Sequence, residues 1–132
     1  MKMHLELSDE EISQIKDIIE HQENKVCDAD NSLSTIWIHD EHYEIEFRFC
    51  FNGHFKLIIS RVCFINRRCG TMTKLLEKMK ELCLKYDVHN ITIQSVETSE
   101  MVNFCVKNGF KPDQNASFLL NGIIIGDYVL EI

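Results

Sequence analysis

Proline occurs once, at Pro112, and no stretch is rich in Pro, Gly or Ser, so no linker or low-complexity tract divides the chain. No internal repeat is present either, and the expectation is a single domain over residues 1–132. No apolar run approaches the length that a membrane-spanning helix needs. The opening Met-Lys-Met-His-Leu-Glu-Leu alternates and is broken by charge, unlike a secretory signal. These absences predict a cytosolic protein with no membrane partner. Basic residues are outnumbered, 14 Lys and Arg against 21 Asp and Glu, for a net charge of −7. Duplex affinity rests on clustered cations, so no nucleic-acid partner is expected. The acidity suits an amine substrate, although solubility alone is the commoner reason for it.

Cysteine is not scarce, but no pair is spaced Cys-x-x-Cys among Cys27, Cys50, Cys63, Cys69, Cys83 and Cys105. Structural zinc and redox motifs need tighter pairing, so reduced and mostly buried thiols are expected, with no metal. His39-Asp40-Glu41-His42 invites a metal reading. It falls in a turn between two strands, where both imidazoles seldom face one ion, and no third ligand is placed by sequence. A polar loop is the better account.

Periodicity gives the elements. Met1, Met3, Leu5 and Leu7 alternate with polar residues, as in a short half-buried strand. Ser8 then opens a helix, with Glu11 three residues on to close a capping box and Asp9, Glu10 and Glu11 in the first turn. Ile12, Ile15, Ile18 and Ile19 form its apolar stripe. Residues 24–32 are polar and read as a loop or the remnant of a second helix. Strands are predicted over 33–38, 43–51 and 54–64, the last two joined at Asn52-Gly53, a pair that favours a type I′ turn. The 54–64 strand is apolar on both faces and therefore central. Leu75, Leu76, Met79, Leu82, Cys83 and Tyr86 then mark a helix, 90–96 a strand, and Ser99 onward a short helix capped by Thr98 or Ser99. Gly109 follows it, and a hairpin around Asn121-Gly122 closes the chain. The order β-α-β-β-β-α-β-α-β-β implies an α/β fold. Its mixed sheet contains a right-handed strand–helix–strand crossover over 54–96.

The chemistry-bearing segment is Phe64-Ile65-Asn66-Arg67-Arg68-Cys69-Gly70-Thr71-Met72-Thr73-Lys74-Leu75-Leu76. A strand ends, a cationic turn with one glycine follows, and an apolar helix begins. The first amides of a helix have no intrahelical acceptor and, with the dipole, favour an anion. Arg67, Arg68 and Thr73 add charge and a hydroxyl, and Gly70 removes the Cβ that would block close approach. A phosphate or diphosphate is the expected ligand. The Walker spacing is not met.

This segment resembles the acyl-CoA-binding motif of the GNAT superfamily, Arg/Gln-x-x-Gly-x-Gly/Ala, with Arg67, Gly70 and Leu75-Leu76 in register. The stretch Thr98-Ser-Glu-Met-Val-Asn-Phe-Cys-Val-Lys-Asn-Gly-Phe110 is similar to the family's second signature, Asn-x-x-Ala-x-x-x-Tyr-x-x-x-Gly-Phe, and Asp127-Tyr128-x-Leu130 to its closing strand. The resemblance implies a GNAT-like fold, with splayed parallel strands at 54–64 and 90–96 and helices on both faces of the sheet. It implies acetyl-CoA as co-substrate, held by Val62, Cys63, Phe64, Arg67, Arg68, Cys69, Gly70, Thr71, Met72, Thr73 and Thr98. An amine of a small molecule or protein would be the acceptor, and a homodimer is compatible with it.

In the implied mechanism a backbone amide polarises the acyl carbonyl, an amine attacks, a base takes its proton and an acid protonates the departing thiolate. Glu97, at a strand end, is the candidate base, ahead of Glu44 and Glu46. Cys105 stands where the family has its tyrosine acid, although a small core filler explains a cysteine there as well. Met72 replaces the motif's last small residue and Thr98 its asparagine. Arg61, in an apolar strand, suits an ion pair with a neighbouring glutamate or a substrate role. Two functions follow: transfer of an acetyl or short acyl group from CoA to an amine, or a catalytically weak module that binds acyl-CoA or a protein partner.

Overall fold

A reciprocal cap fixes the start of the first helix. Ser8 Oγ accepts the Glu11 amide at 3.1 Å, and Glu11 Oε1 accepts the Ser8 amide at 2.9 Å. The computed structural model describes residues 5–32, 35–66 and 70–132. Helix α1 (Asp9–Glu23) buries Ile12, Ile15 and Ile19, each worth about 2 kcal/mol when fully removed from water. It packs on helix α2 (Thr71–Tyr86), whose Leu75, Leu76, Met79, Leu82 and Cys83 are buried in the order the 3.6 period predicts. Glu11 also joins the two helices. Its Oε2 accepts from Lys85 Nζ at 2.8 Å and its Oε1 from the Tyr86 hydroxyl at 2.5 Å.

Among the described residues seven strands form one sheet: β1 (Asp28–Ser32), β2 (Thr35–His39), β3 (Glu46–Asn52), β4 (Lys56–Cys63), β5 (Asn90–Val96), β6 (Lys111–Leu120) and β7 (Ile123–Glu131), in the order β1-β2-β3-β4-β5-β7-β6. Helix α3 (Ser99–Lys107) lies against β7. Its cap is Thr98, whose Oγ1 accepts the Met101 amide at 3.2 Å. Of the first predicted strand, residues 1–4 lie outside the described residues, and 5–8 are not strand. The first strand among the described residues is β1, in the stretch expected to be a loop or the remnant of a helix. All five of its residues are exposed at the sheet edge, so no alternation betrays it. Backbone pairing to β2 holds it, with His39 Nε2 lying 2.8 Å from Asp30 Oδ2.

Both hairpins form, but the first does not take the expected type I′ turn. At Asn52-Gly53 only Gly53 has positive φ, 54°, and three residues separate the paired Asn52 and Lys56, so the turn is not type I′. The two-residue turn with positive φ at both positions is Asn121-Gly122, at 50° and 84°. Residues 40–45 form a loop held by the buried Asp40, whose Oδ1 accepts the Ile45 amide at 3.0 Å. His39 Nδ1 lies 3.0 Å from the Asp40 carbonyl, so both its ring nitrogens are engaged within the protein.

One feature of the sheet positions everything else. β4 and β5 run parallel but pair only over Leu57–Ile59 and Ile91–Ile93. Beyond that point each strand is bulged on its other side. On β4, Ser60 is the extra residue between the Phe49–Ile59 and Arg48–Arg61 pairs, and its hydroxyl donates to the Arg48 carbonyl at 3.3 Å. On β5, Gln94 and Ser95 oppose the single Asp127, with Ser95 at φ 54° and its amide donating to Asp127 Oδ1 at 2.9 Å. Bulges bend their strands, and two of them at one level part β4 from β5.

Candidate functional site

At the open end of the wedge lies a cleft of roughly 350 Å³. Val62, Cys63 and Phe64 form one wall, where β4 runs on past its last pairing with β5. Gly70, Thr71, Met72 and Thr73 form the floor, at the start of α2. Thr98, Glu100, Met101 and Phe104 form the far wall, from the cap and inner face of α3. Eight of the eleven residues expected to hold a ligand therefore converge on one cleft. The other three, Arg67, Arg68 and Cys69, lie outside the described residues.

The electrostatics of the floor differ from those of the other helix starts. α1 has a serine cap and three acids in its first turn, whereas α2 has Gly70 as its cap, no side-chain capping bond and no acid in its first turn. The positive end of the α2 dipole therefore opens on the cleft without a neighbouring carboxylate on its own helix, an arrangement that favours an anion. Gly70 sits at φ 86°, and a Cβ there would meet nothing within 4 Å, so the backbone conformation requires glycine and packing does not. Met72 is buried in the core cluster while bordering the cleft, so its bulk is largely spent on packing under the floor.

Asn66, the last described residue before the floor, is tied to α1. Glu23, only 3% exposed, accepts the Asn66 amide through Oε2 at 2.8 Å. Asn66 Nδ2 donates in turn to the carbonyls of Glu23, at 3.2 Å, and Gln22, at 3.4 Å. Glu23 Oε1 has no hydrogen-bond partner among the described residues. Sequence reasoning missed Asn66, Glu100, Met101 and Phe104 as cleft residues. The last three were legible as one helical face, at i, i+1 and i+4 after the cap.

Neither candidate catalytic residue lines the cleft. Glu97 follows β5, is exposed, and is not among the lining side chains. Cys105 is fully buried and is not among the residues lining the cleft, and burial pushes its thiol up to about 12. A cysteine is too short to extend from this helix position into the wedge, and so weak an acid is a poor donor to a departing thiolate. The burial of Cys105 favours the core-filler account over an acid. Cys105→Ser should cost about 1–2 kcal/mol, the price of a hydroxyl in an apolar site, and leave ligand affinity at the cleft unchanged. Parallel melting and ligand titration of the variant check this, and an unchanged melt with altered affinity would return Cys105 to the site.

The remaining candidates resolve simply. Glu46 Oε2 lies 3.4 Å from Arg61 Nε and accepts from Trp37 Nε1 at 3.2 Å, so Arg61 is in an ion pair. Glu44 lies in the loop before β3, and its carbonyl faces the Cys63 thiol at 3.4 Å. Cys27, Cys50, Cys63, Cys83 and Cys105 are free thiols. Among the described residues no helix is long and apolar enough to cross a membrane, and no three His, Cys, Asp or Glu side chains gather around a metal position.

No protein-family model matches the sequence, and no curated protein matches it. Solved structures match in fold. Ard1 from Thermoplasma volcanium superposes with a TM-score of 0.54 at 12% identity, over 97% of this chain and 95% of that one. The NatC complex bound to Gag peptide and CoA gives 0.54 at 16%, over 98% and 96%. A GNAT family acetyltransferase from Elizabethkingia anophelis with acetyl-CoA bound gives 0.51 at 13%, over 74% and 75%. At these identities the likeness is one of fold, and the fold is that of the GNAT acetyltransferases.

Proposed function

We propose that this chain is an N-acyltransferase that passes an acetyl or other short acyl group from CoA to a primary amine. The observation that carries the reading is the uncapped start of α2 opening on a cleft at the parting of β4 and β5. A diphosphate suits that helix start, with Arg67 and Arg68 just before it in sequence to supply charge. A narrow acyl-pantetheine arm suits the largely apolar walls of Val62, Phe64, Met101 and Phe104. Two proteins of this fold were solved with acetyl-CoA or CoA bound, and one of them with a peptide, which supports an amine acceptor.

In the proposed reaction the amine nitrogen attacks the thioester carbon, the C–S bond breaks, and the thiolate leaves toward the open mouth of the cleft, where water protonates it. A backbone amide at the diverging end of β4 stabilises the carbonyl oxygen as it becomes negative. Glu97, next in sequence to the cleft residue Thr98, takes the amine's proton through water. The second reading, a module that binds acyl-CoA without turning it over, is favoured by the burial of Cys105 and by the place of Glu97 outside the cleft lining.

Acetyl-CoA should stabilise the protein by about 2.7 kcal/mol at a hundred times its dissociation constant. The double variant Arg67→Ala/Arg68→Ala should bind more weakly, above all at low ionic strength. A melt unmoved by millimolar acetyl-CoA would sink both readings. Where binding holds, free-thiol release over a panel of amines and peptides separates them, since the module alone releases none.

A further inference from the structure

β1 sits at the sheet edge with no apolar face of its own, and one side chain of β2 reaches out to it. His39 is 6% exposed, and both nitrogens of its ring meet oxygen. Nδ1 lies 3.0 Å from the Asp40 carbonyl, and Nε2 lies 2.8 Å from Asp30 Oδ2. A carbonyl and a carboxylate only accept, whereas a neutral imidazole has a single N–H to give. The two contacts together therefore require a second proton. Imidazole is a stronger base than a carboxylate by about 2.5 units, so that proton resides on the ring. His39 is an imidazolium in this fold.

The charge is set among acids. Antiparallel register puts Asp28 of β1 and Glu46 of β3 opposite His39 on its two sides. The Asp40 carboxylate accepts from the Ile45 amide, and that of Glu46 from Trp37 and Arg61, so Asp30 is the carboxylate that meets the ring. The cations nearby act elsewhere: Arg48 lies over the Trp37 ring at 5.7 Å, and the Lys25 charge acts on Asp40. Tyr43, from the 40–45 loop, stacks on the imidazolium with 4.4 Å between ring centroids and 18° between planes. It offers the charge a π face. Trp37 closes the cluster, 5.1 Å from His39 and 5.5 Å from Tyr43.

We propose that His39 is a pH-sensitive clasp, whose imidazolium locks the edge strand β1 to β2 and whose deprotonation at Nε2 releases that strand. The Nδ1 proton stays with the Asp40 carbonyl, so Nε2 is the nitrogen that loses its proton to solvent. The contact with Asp30 then turns from a charge-assisted hydrogen bond into two facing lone pairs. Burial opposes the charge on His39, but the hydrogen bonds to Asp30 and to the Asp40 carbonyl outweigh it and hold its pKa above the ordinary 6.5. With a raised folded pKa, the stabilisation is whole below 6.5 and is lost as the pH rises through the folded value. β1 is the element to respond, because all five of its residues are exposed and it has a strand neighbour on one side only. Its release opens the edge of β2, which the acids of β1 otherwise guard. The proposal does not depend on the acyltransferase reading.

Histidine-ring NMR and amide hydrogen exchange, followed over roughly pH 5 to 9, test it. In the wild type His39 should titrate above its ordinary value. Through that titration the amides that pair β1 with β2 should exchange about fivefold faster or more, after correction for intrinsic exchange, while those between β3 and β4 stay protected. Asp30→Asn, at an exposed position, separates charge from pairing. An asparagine amide accepts from a protonated Nε2 or turns and donates to a neutral one, so the link should survive and its pH dependence should go. His42→Gln, exposed in the same loop, is the control and should leave both curves as in the wild type. A His39 ring that titrates at or below 6.5 overturns the proposal. So does β1 exchange that stays flat across the titration, or that keeps its pH dependence in Asp30→Asn.

Discussion

Glu11→Ala is expected to lose about 3 kcal/mol of stability at neutral pH, most of which protonation of the wild type should also remove in acid. Glu11 is buried and does three jobs at once: it closes the capping box with Ser8, receives the Lys85 ammonium, and receives the Tyr86 hydroxyl. Burial opposes its ionisation, but the hydrogen bonds from Lys85, Tyr86 and Ser8 outweigh it and hold the carboxyl at about 2, down from 4.5. A lowered folded pKa means that the unfolded chain takes up the proton first. The stabilisation is therefore whole above pH 4.5 and drains away as the pH falls toward 2. Glu11→Gln refines the test, because glutamine keeps the box but not the ionic acceptor. Chemical denaturation of wild type and Glu11→Gln at a series of pH values should show their difference shrinking across that window. A difference that stays flat there would detach the carboxylate from the α1–α2 contact.

Why Glu11 was legible as a cap but not as a clamp shows where sequence reading stops. Ser8 and Glu11 are three residues apart, so their reciprocal bond is local and a pattern can declare it. Lys85 and Tyr86 are more than seventy positions away, and only the packing of α1 on α2 brings them in. The same division runs through the fold. Helices α2 and α3 were readable because each buries one periodic face against the core, and strand β5 because its run Ile91–Ile93 is buried on both faces. β1 was not, because an exposed edge strand is held by backbone pairing and needs no apolar face. The parting of β4 and β5 was expected only through a resemblance. Its physical cause lies in Ser60 and Ser95, whose bulges depend on strand partners far away in sequence. The cleft's floor was written in Gly70–Thr73, but the reach of a side chain from α3 was not, which is how Cys105 was placed in the wedge when Phe104 and Met101 fill that wall.

Gly126→Ala is expected to be the most damaging single methyl in the chain, at about 3 kcal/mol or more, lowering the melting temperature by about 10 °C. Gly126 lies in β7 between two partners, paired with Val96 of β5 on one side and Ser117 of β6 on the other. A Cβ there would collide with the Ala116 carbonyl oxygen and lie 2.7 Å from Ser117 Cα, and both are backbone atoms that cannot rotate aside. Its φ of 119° also lies beyond the left-handed region that other residues tolerate. Gly122→Ala separates the two causes. That glycine has φ 84° but nothing within 4 Å of a Cβ, so its substitution pays for conformation alone, about 1–2 kcal/mol. The excess at Gly126 then measures the clash, and equal melting temperatures for the two variants would show that β6 gives way freely. The damage should also reach the cleft. Gly126 adjoins Asp127, whose carboxylate holds the Ser95 amide in the bulge that turns β5 away from β4. If β6 and β7 are forced apart at Gly126, the wedge loses one of its two supports, and acetyl-CoA should stabilise Gly126→Ala less than Gly122→Ala at equal ligand concentration.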